Sequence, residues 1–232
     1  MKFSPKFELE QSPLGRIVAA PGAALFYTTS DFDGRLSNGV AARITGFIRE
    51  RFGIDASLTT CNQVHGANVE SAVAAGQSWR ECDSCDALVS TQVGTALGIK
   101  VADCLPVTIV AEGSIANIHS GWRGAVQNIA TAALDRLNTK GGRAWLGPSI
   151  RVCCFEVGEE VAAQFDSRFI DRSKTKPHVD LPAFTADMLR SKGFATDRIH
   201  DSGLCTRCEG SIFHSYRRDG GGGGRNLAIV AQ

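Results

Sequence analysis

The sequence predicts an α/β (α+β) protein with a mixed β-sheet core and helices packed outside it. Three observations lead there. Short β-rich runs and amphipathic helical stretches are interspersed along all 232 residues. The strands outnumber the helices, and the two do not alternate regularly, which argues against a doubly wound parallel sheet. With 43% hydrophobic and 21% charged residues, the chain has an ordinary globular composition and the length to bury a sizeable core.

The elements follow in order. Residues 24–27 are β-rich. Residues 40–52 put Val40, Ile44, Phe47 and Ile48 on one helical face, and Gly53 supplies a stop. Leu58, Thr59 and Thr60 read as strand, as do residues 87–90, 97–101, 107–111 and 115–118. A second helix is expected over 125–137, with Val126, Ile129, Ala130, Ala133 and Leu137 facing inward. Further helices are expected near 159–165 and 184–192, and strands at 151–155 and 227–230. The glycine run 220–224 is either a flexible lid, an anion-contacting loop or a plain connection, because glycine loses the most entropy on ordering.

Bulk properties exclude several classes. Twenty-five basic residues against 24 acidic give a net charge of +1, so no nucleic-acid partner is expected. No apolar run approaches the roughly 20 residues of a membrane helix. The opening Met1-Lys2-Phe3-Ser4-Pro5-Lys6 lacks the apolar core of a leader peptide, so the expected location is the cytoplasm. There, the eight cysteines are packing residues, metal ligands or nucleophiles rather than disulfide partners. Two C-x-x-C pairs, Cys82/Cys85 and Cys205/Cys208, could in principle join in a four-thiolate zinc site. Their separation along the chain favours packing or incidental thiols instead.

Three segments carry the chemistry. His65 lies in Asn62-Gln63-Val64-His65-Gly66, after a strand. Cys104 lies in Ala102-Asp103-Cys104-Leu105-Pro106, between two strands. His119 begins His119-Ser120-Gly121-Trp122-Arg123-Gly124, which leaves a strand and enters a helix. Zinc accepts imidazole and thiolate, and a catalytic zinc keeps three protein ligands and one open position, which a His/Cys/His set would satisfy. By spacing alone the ligands are scattered, and single histidines at strand ends more often pack or hydrogen-bond. Gly121, Gly124 and the helix start allow close approach of an anion, and Arg123 adds a fork-shaped charge suited to phosphate. An ordinary glycine-rich turn with a solvated arginine is the competing explanation. Asp103, beside a ligand, is a catalytic candidate as proton carrier, or else a structural brace.

NQVHG, ADCLP and HSGWRG, in this order, resemble the three signatures of the YfiH-type, laccase-domain family, also called the multicopper polyphenol oxidase family. The match continues through Asp86-Ala87, Gly147-Pro148-Ser149-Ile150, Cys153-Cys154-Phe155-Glu156-Val157-Gly158, Asp180-Leu181 and Leu204-Cys205-Thr206. It ends in Phe213-His214-Ser215-Tyr216-Arg217-Arg218-Asp219-Gly220. The resemblance implies one layered α/β/β/α domain over residues 1–232 with mixed sheets. It implies metal binding by His65, Cys104 and His119, with zinc the expected ion and copper the alternative. It also implies phosphorolysis of purine nucleosides (adenosine, inosine, guanosine, methylthioadenosine) and adenosine deamination, so a purine nucleoside and phosphate are the expected substrates. Arg123 and Arg217 are the candidates for holding phosphate, and a monomer is the expected state. The nucleobase-deaminase signature H-x-E with P-C-x-x-C is absent, so deamination would need another scaffold.

The first third departs from the family pattern. In place of a Thr-Arg-x-Gly-Gly-Val-Ser turn, this chain has Thr28-Thr29-Ser30-Asp31-Phe32-Asp33-Gly34-Arg35, and Arg35 could stand in for the missing arginine. Three other readings compete: a metal-free cysteine hydrolase using Cys104 with His119 or His65, a copper-dependent polyphenol oxidase, and a non-catalytic nucleotide-binding protein. The oxidase reading suffers because one His/Cys/His site does not supply the several coppers that four-electron oxygen reduction needs.

Overall fold

The computed structural model describes residues 7–20, 22–74 and 78–232. The opening segment 1–6, read above as no leader peptide, lies outside the described residues. In chain order the strands are β1 (Glu8–Ser12), β2 (Gly15–Ala19), β3 (Leu25–Thr28), β4 (Ser57–Cys61), β5 (Val69–Ser71), β6 (Trp79–Cys82), β7 (Ala87–Ser90) and β8 (Thr95–Val101). They continue with β9 (Leu105–Ala111), β10 (Ser114–Ser120), β11 (Arg143–Leu146), β12 (Ile170–Asp171), β13 (His178–Val179), β14 (Ile199–Asp201) and β15 (Asn226–Ala231). The helices are α1 (Asn38–Phe52), α2 (Trp122–Val126), α3 (Ile129–Leu134), α4 (Glu159–Ala162), α5 (Leu181–Ser191) and α6 (Tyr216–Asp219).

Two mixed sheets stack face to face. The first has the order β1-β2-β3-β15-β8-β4-β6, and the second the order β14-β11-β9-β10-β7-β5. In the first, β4 runs parallel to both neighbours while β15 is antiparallel to both of its own. Side-chain alternation assigns the layers. Ala228 and Val230 of β15, with Leu97 and Ile99 of β8, face Leu88, Ile115 and Trp145 of the second sheet. Leu227 and Ile229 point the other way, onto Ile44, Phe47 and Ile48 of α1. The second sheet's far face, including Val107, Ile109 and Ile118, is covered by Ile129 and Ala133 of α3 and Leu189 of α5. The result is the α/β/β/α layering. Strands covered on both faces carry continuous apolar runs, which is why they were legible as strands without alternation. One buried polar residue crosses the gap: Asn117 Nδ2 donates to the Leu97 and Ala228 carbonyls at 2.9 and 2.8 Å, joining the two sheets.

Several elements differ from the sequence expectation. The helix expected over 125–137 is two helices, α2 and α3, because Asn128 adopts φ 61° between them, a conformation its short polar side chain tolerates. Residues 151–155 form a turn rather than a strand, with the N–H groups of Cys154 and Phe155 both donating to the Arg151 carbonyl at 2.8 Å. Helix α5 starts at Leu181, earlier than residue 184. The Asp180 carboxylate accepts from Ala183 N at 3.0 Å, and Pro182 suits the first turn. Among the described residues no helix is long and apolar enough to cross a membrane.

Candidate metal centre

The three predicted ligands meet at one end of the sandwich. His65 sits in the loop between β4 and β5, Cys104 in the crossing from β8 of one sheet to β9 of the other, and His119 near the end of β10. One nitrogen from each histidine and the Cys104 thiol all lie within 4.8 Å of one another. The two imidazoles stand nearly perpendicular, 81° apart with centroids 4.8 Å distant.

A residue not singled out for a role in the sequence organises this arrangement. Asp86, just before β7, is fully buried. Its Oδ1 accepts from His65 N at 3.0 Å and faces His119 Nδ1 at 2.8 Å, and its Oδ2 accepts from Val64 N at 3.2 Å and Gly66 N at 2.7 Å. Burial opposes the Asp86 charge, but the His119 and backbone hydrogen bonds outweigh it and hold the carboxyl below its ordinary range. An ionised Asp86 can only accept, so one His119 proton stays on Nδ1, and Nε2 is the nitrogen that binds a metal once it gives up its own proton. The loop that Asp86 gathers forces His65 itself to φ 60°. Asp103, with φ 85°, supports Cys104 from the other side. Its Oδ1 accepts from Thr206 Oγ1 and its Oδ2 from Arg217 N, both at 2.6 Å.

The donors fit a soft or borderline cation. Burial works against a charged Cys104, yet the charge and hydrogen bond of His119, followed by His65, bring the thiol down to about 6. Burial likewise works against charge on His119, but Cys104 and Asp86 raise it to about 9. A Cβ on Gly121 would come 3.1 Å from Cys104 Sγ and 3.4 Å from His65 Cδ2, so glycine keeps the space between the ligands open. A thiolate, two imidazoles and an oriented second layer are the donor chemistry that zinc or copper takes.

The ligands open onto a cleft of about 680 Å³. Four cationic side chains (Arg35, Lys100, Arg217 and Arg225) and three aromatic ones (Trp122, Phe155 and Tyr216) line it. Gly221 and Gly223 of the glycine run also form part of the wall. Lys100 pairs with Glu81 at 2.6 Å and Arg35 with Asp33 at 2.8 Å. Arg217 is anchored by the Glu156 carbonyl at 3.0 Å, and Arg225 by the Gly223 and Gly224 carbonyls at 3.0 and 2.9 Å. Arg123 is not part of the lining; its guanidinium lies over the Trp122 ring, 4.5 Å from the centroid. Lys100 and Arg225 had no sequence signal as site residues, because only the fold brings them to the cleft; Trp122, Phe155 and Tyr216 lie in segments that carry the family resemblance but were given no role. The two C-x-x-C pairs do not share a site: Cys85 meets Cys61 at 2.7 Å, while Cys205 and Cys208 cluster elsewhere.

Fold and site together define a four-layer α/β/β/α protein with a His/Cys/His donor set on the floor of a cationic, aromatic cleft. The chain belongs to the family described as multi-copper polyphenol oxidoreductase laccase, whose sequence model matches residues 38–232. A protein named "Adenosine deaminase RL5", from an unknown prokaryotic organism, is 35% identical over 160 residues, which is 62% of this chain and 61% of its own length. A "Purine nucleoside phosphorylase" of Xylella fastidiosa is 36% identical over 183 residues, 73% of this chain and 70% of its own. Among solved structures, YfiH of Bacillus licheniformis superposes with a TM-score of 0.83 at 21% identity, covering 99% of this chain and 100% of that one. YlmD of Geobacillus stearothermophilus gives 0.81 at 22% identity, with 97% and 98% coverage. The structural likenesses establish the layered fold.

Proposed function

We propose that this chain is a zinc-dependent purine nucleoside phosphorylase that also deaminates adenosine. The carrying observation is the cleft itself, where a His/Cys/His donor set adjoins cationic and aromatic side chains in one lining. Phosphate needs cations whose charge is not already spent. Arg217 and Arg225 are held by carbonyls, whereas Lys100 and Arg35 are ion-paired, so the first two are the phosphate holders. This reading moves the phosphate role from Arg123 to Arg225 and keeps it for Arg217. Trp122, Phe155 and Tyr216 offer faces for stacking a purine, an interaction tolerant of which purine is bound.

In phosphorolysis an oxygen of phosphate forms a bond to the ribose C1′ while the bond from C1′ to the base nitrogen breaks. The base leaves with the electron pair and takes up the proton that the attacking hydrogen phosphate gives up. Arg217 and Arg225 orient the nucleophile, and the aromatic walls exclude competing water. Asp103 works by position: both of its oxygens are engaged, and it ties Thr206 and the Arg217 backbone to the residue next to Cys104. Zinc, when bound by His65, Cys104 and His119, supplies Lewis-acid polarisation and makes water easier to deprotonate, as deamination requires.

The test is turnover of inosine with phosphate to hypoxanthine and ribose 1-phosphate, and of adenosine to inosine, by wild type and Cys104→Ala. Activity in wild type that disappears with the metal in a folded Cys104→Ala chain supports the proposal. No turnover of any purine nucleoside by metal-replete wild type overturns it. The thiol of Cys104, drawn down to about 6 beside His119, favours one second reading, a cysteine nucleophile. Full activity in chelator-stripped protein would establish that reading. Oxygen uptake with a phenol after copper loading would establish the oxidase.

A further inference from the structure

A second thiol cluster lies outside the His/Cys/His centre. Cys153 and Cys154 are in the turn that follows Ile150, and Cys205 and Cys208 are in a second turn, closed by Glu209 N donating to the Cys205 carbonyl at 2.9 Å. The backbone brings the two turns together. Ser149 N donates to Leu204 O at 3.2 Å, and Thr206 N donates to Ser149 O at 3.0 Å. All four sulfurs lie within 4.8 Å of one another, with Cys154 to Cys208 at 3.4 Å and Cys153 to Cys208 at 3.8 Å.

We propose that Cys153, Cys154, Cys205 and Cys208 form a structural tetrathiolate site for one zinc ion, separate from the His/Cys/His centre. Zinc bound to four thiolates at about 2.3 Å has sulfur-to-sulfur edges of about 3.8 Å; Cys153 to Cys208 matches that value, and Cys154 to Cys208 is slightly shorter at 3.4 Å. Cys205-x-x-Cys208 has the short spacing with which a single turn presents two thiolates to one ion. The site is closed, since four protein ligands leave no position for a reactant. One cation is held beside the cluster: Lys174 Nζ donates to the Cys153 carbonyl at 2.9 Å. The first turn borders the cleft, and the second is tied to the brace of Cys104. Phe155 follows Cys154 and lines the cleft, while Thr206 follows Cys205 and holds Asp103, the neighbour of Cys104. The ion therefore clamps the wall that carries one aromatic face and the brace of the thiol ligand.

Metal content and cobalt spectroscopy on the whole chain test this. Wild type should carry two zinc ions per chain after removal of loosely bound metal, and Cys104→Ala and Cys208→Ser one each. Cobalt(II) added to zinc-free, reduced Cys104→Ala should give the intense sulfur-to-metal charge-transfer and tetrahedral ligand-field bands of a tetrathiolate. That spectrum keeps the test decisive even if Cys208→Ser does not fold. The proposal is overturned if wild type holds a single zinc and Cys104→Ala shows no thiolate-cobalt bands. It is also overturned if freshly isolated protein is lighter by two hydrogens and peptide mapping finds a disulfide within the cluster.

Discussion

Replacing Asp86 with asparagine should damage both the metal centre and the fold, although the side chain hardly changes in size. The carboxylate takes four donors, two on each oxygen: His65 N and His119 Nδ1 on Oδ1, and Val64 N and Gly66 N on Oδ2. Asparagine retains one oxygen and turns an NH₂ toward the other pair. If that NH₂ faces Val64 and Gly66, two part-buried backbone donors lose their acceptor. If it faces His65 and His119, one backbone donor is lost and His119 Nδ1–H meets a donor instead of an acceptor, so the tautomer that leaves Nε2 free for a metal is disfavoured. A fully buried orphaned donor costs about 1–3 kcal/mol, and water can partly satisfy these part-buried ones, so Asp86→Asn should lower the stability of the metal-free chain by about 1–3 kcal/mol in all. Removing the partner that orients a metal-binding histidine typically weakens binding about 10–100-fold. Urea unfolding of stripped protein measures the first quantity, and competition with a chromophoric zinc chelator the second. Wild-type zinc affinity in Asp86→Asn, together with unchanged unfolding, would refute the role given to this carboxylate.

Three further outcomes follow. Gly121→Ala, at φ −69°, puts no strain on the backbone but sets a methyl 3.1 Å from Cys104 Sγ. Zinc affinity should fall about tenfold or more, since ligand positions tolerate only about 0.2 Å, while metal-free stability falls by about 1 kcal/mol. Arg217→Ala removes a charged donor from the cleft but keeps the backbone N–H that reaches Asp103. Initial rates at varied phosphate should show a KM for phosphate raised about tenfold or more, with little change for inosine. Asp31, paired with Arg16 at 2.7 Å, titrates at about 2 instead of its ordinary 3.8, chiefly through that side-chain hydrogen bond. A depressed folded-state pKa means its stabilisation is present above pH 3.8 and is lost as pH falls towards 2. Solvent screens this pair, so Asp31→Asn should flatten the acid limb of a stability profile by under about 1 kcal/mol.

Much of this molecule was legible before its structure. The candidate donors His65, Cys104 and His119 stood out through the family resemblance and not through their spacing, and the structure brings them together; the helical periodicity of Val40, Ile44, Phe47 and Ile48 marked α1 directly. What escaped depended on contacts distant in sequence. Asp86 acts through residues 64–66 and 119, a convergence that no local pattern encodes. Arg225 matters because the glycine run folds against the cleft. The Asn128 break and the turn at 151–155 fell in stretches whose apolar content suits helix or strand, but tertiary packing and local turn hydrogen bonds prevailed. The pairing of Cys205 and Cys208 with Cys153 and Cys154, instead of with Cys82 and Cys85, is likewise a property of the sheet connections.

Anomalous scattering from crystals of the zinc-replete protein, recorded on both sides of the zinc absorption edge, reaches the central claim most directly. A peak should stand about 2.3 Å from Cys104 Sγ and about 2.0–2.1 Å from one nitrogen each of His65 and His119. Active crystals whose map shows no scatterer within coordinating reach of those three atoms would contradict it.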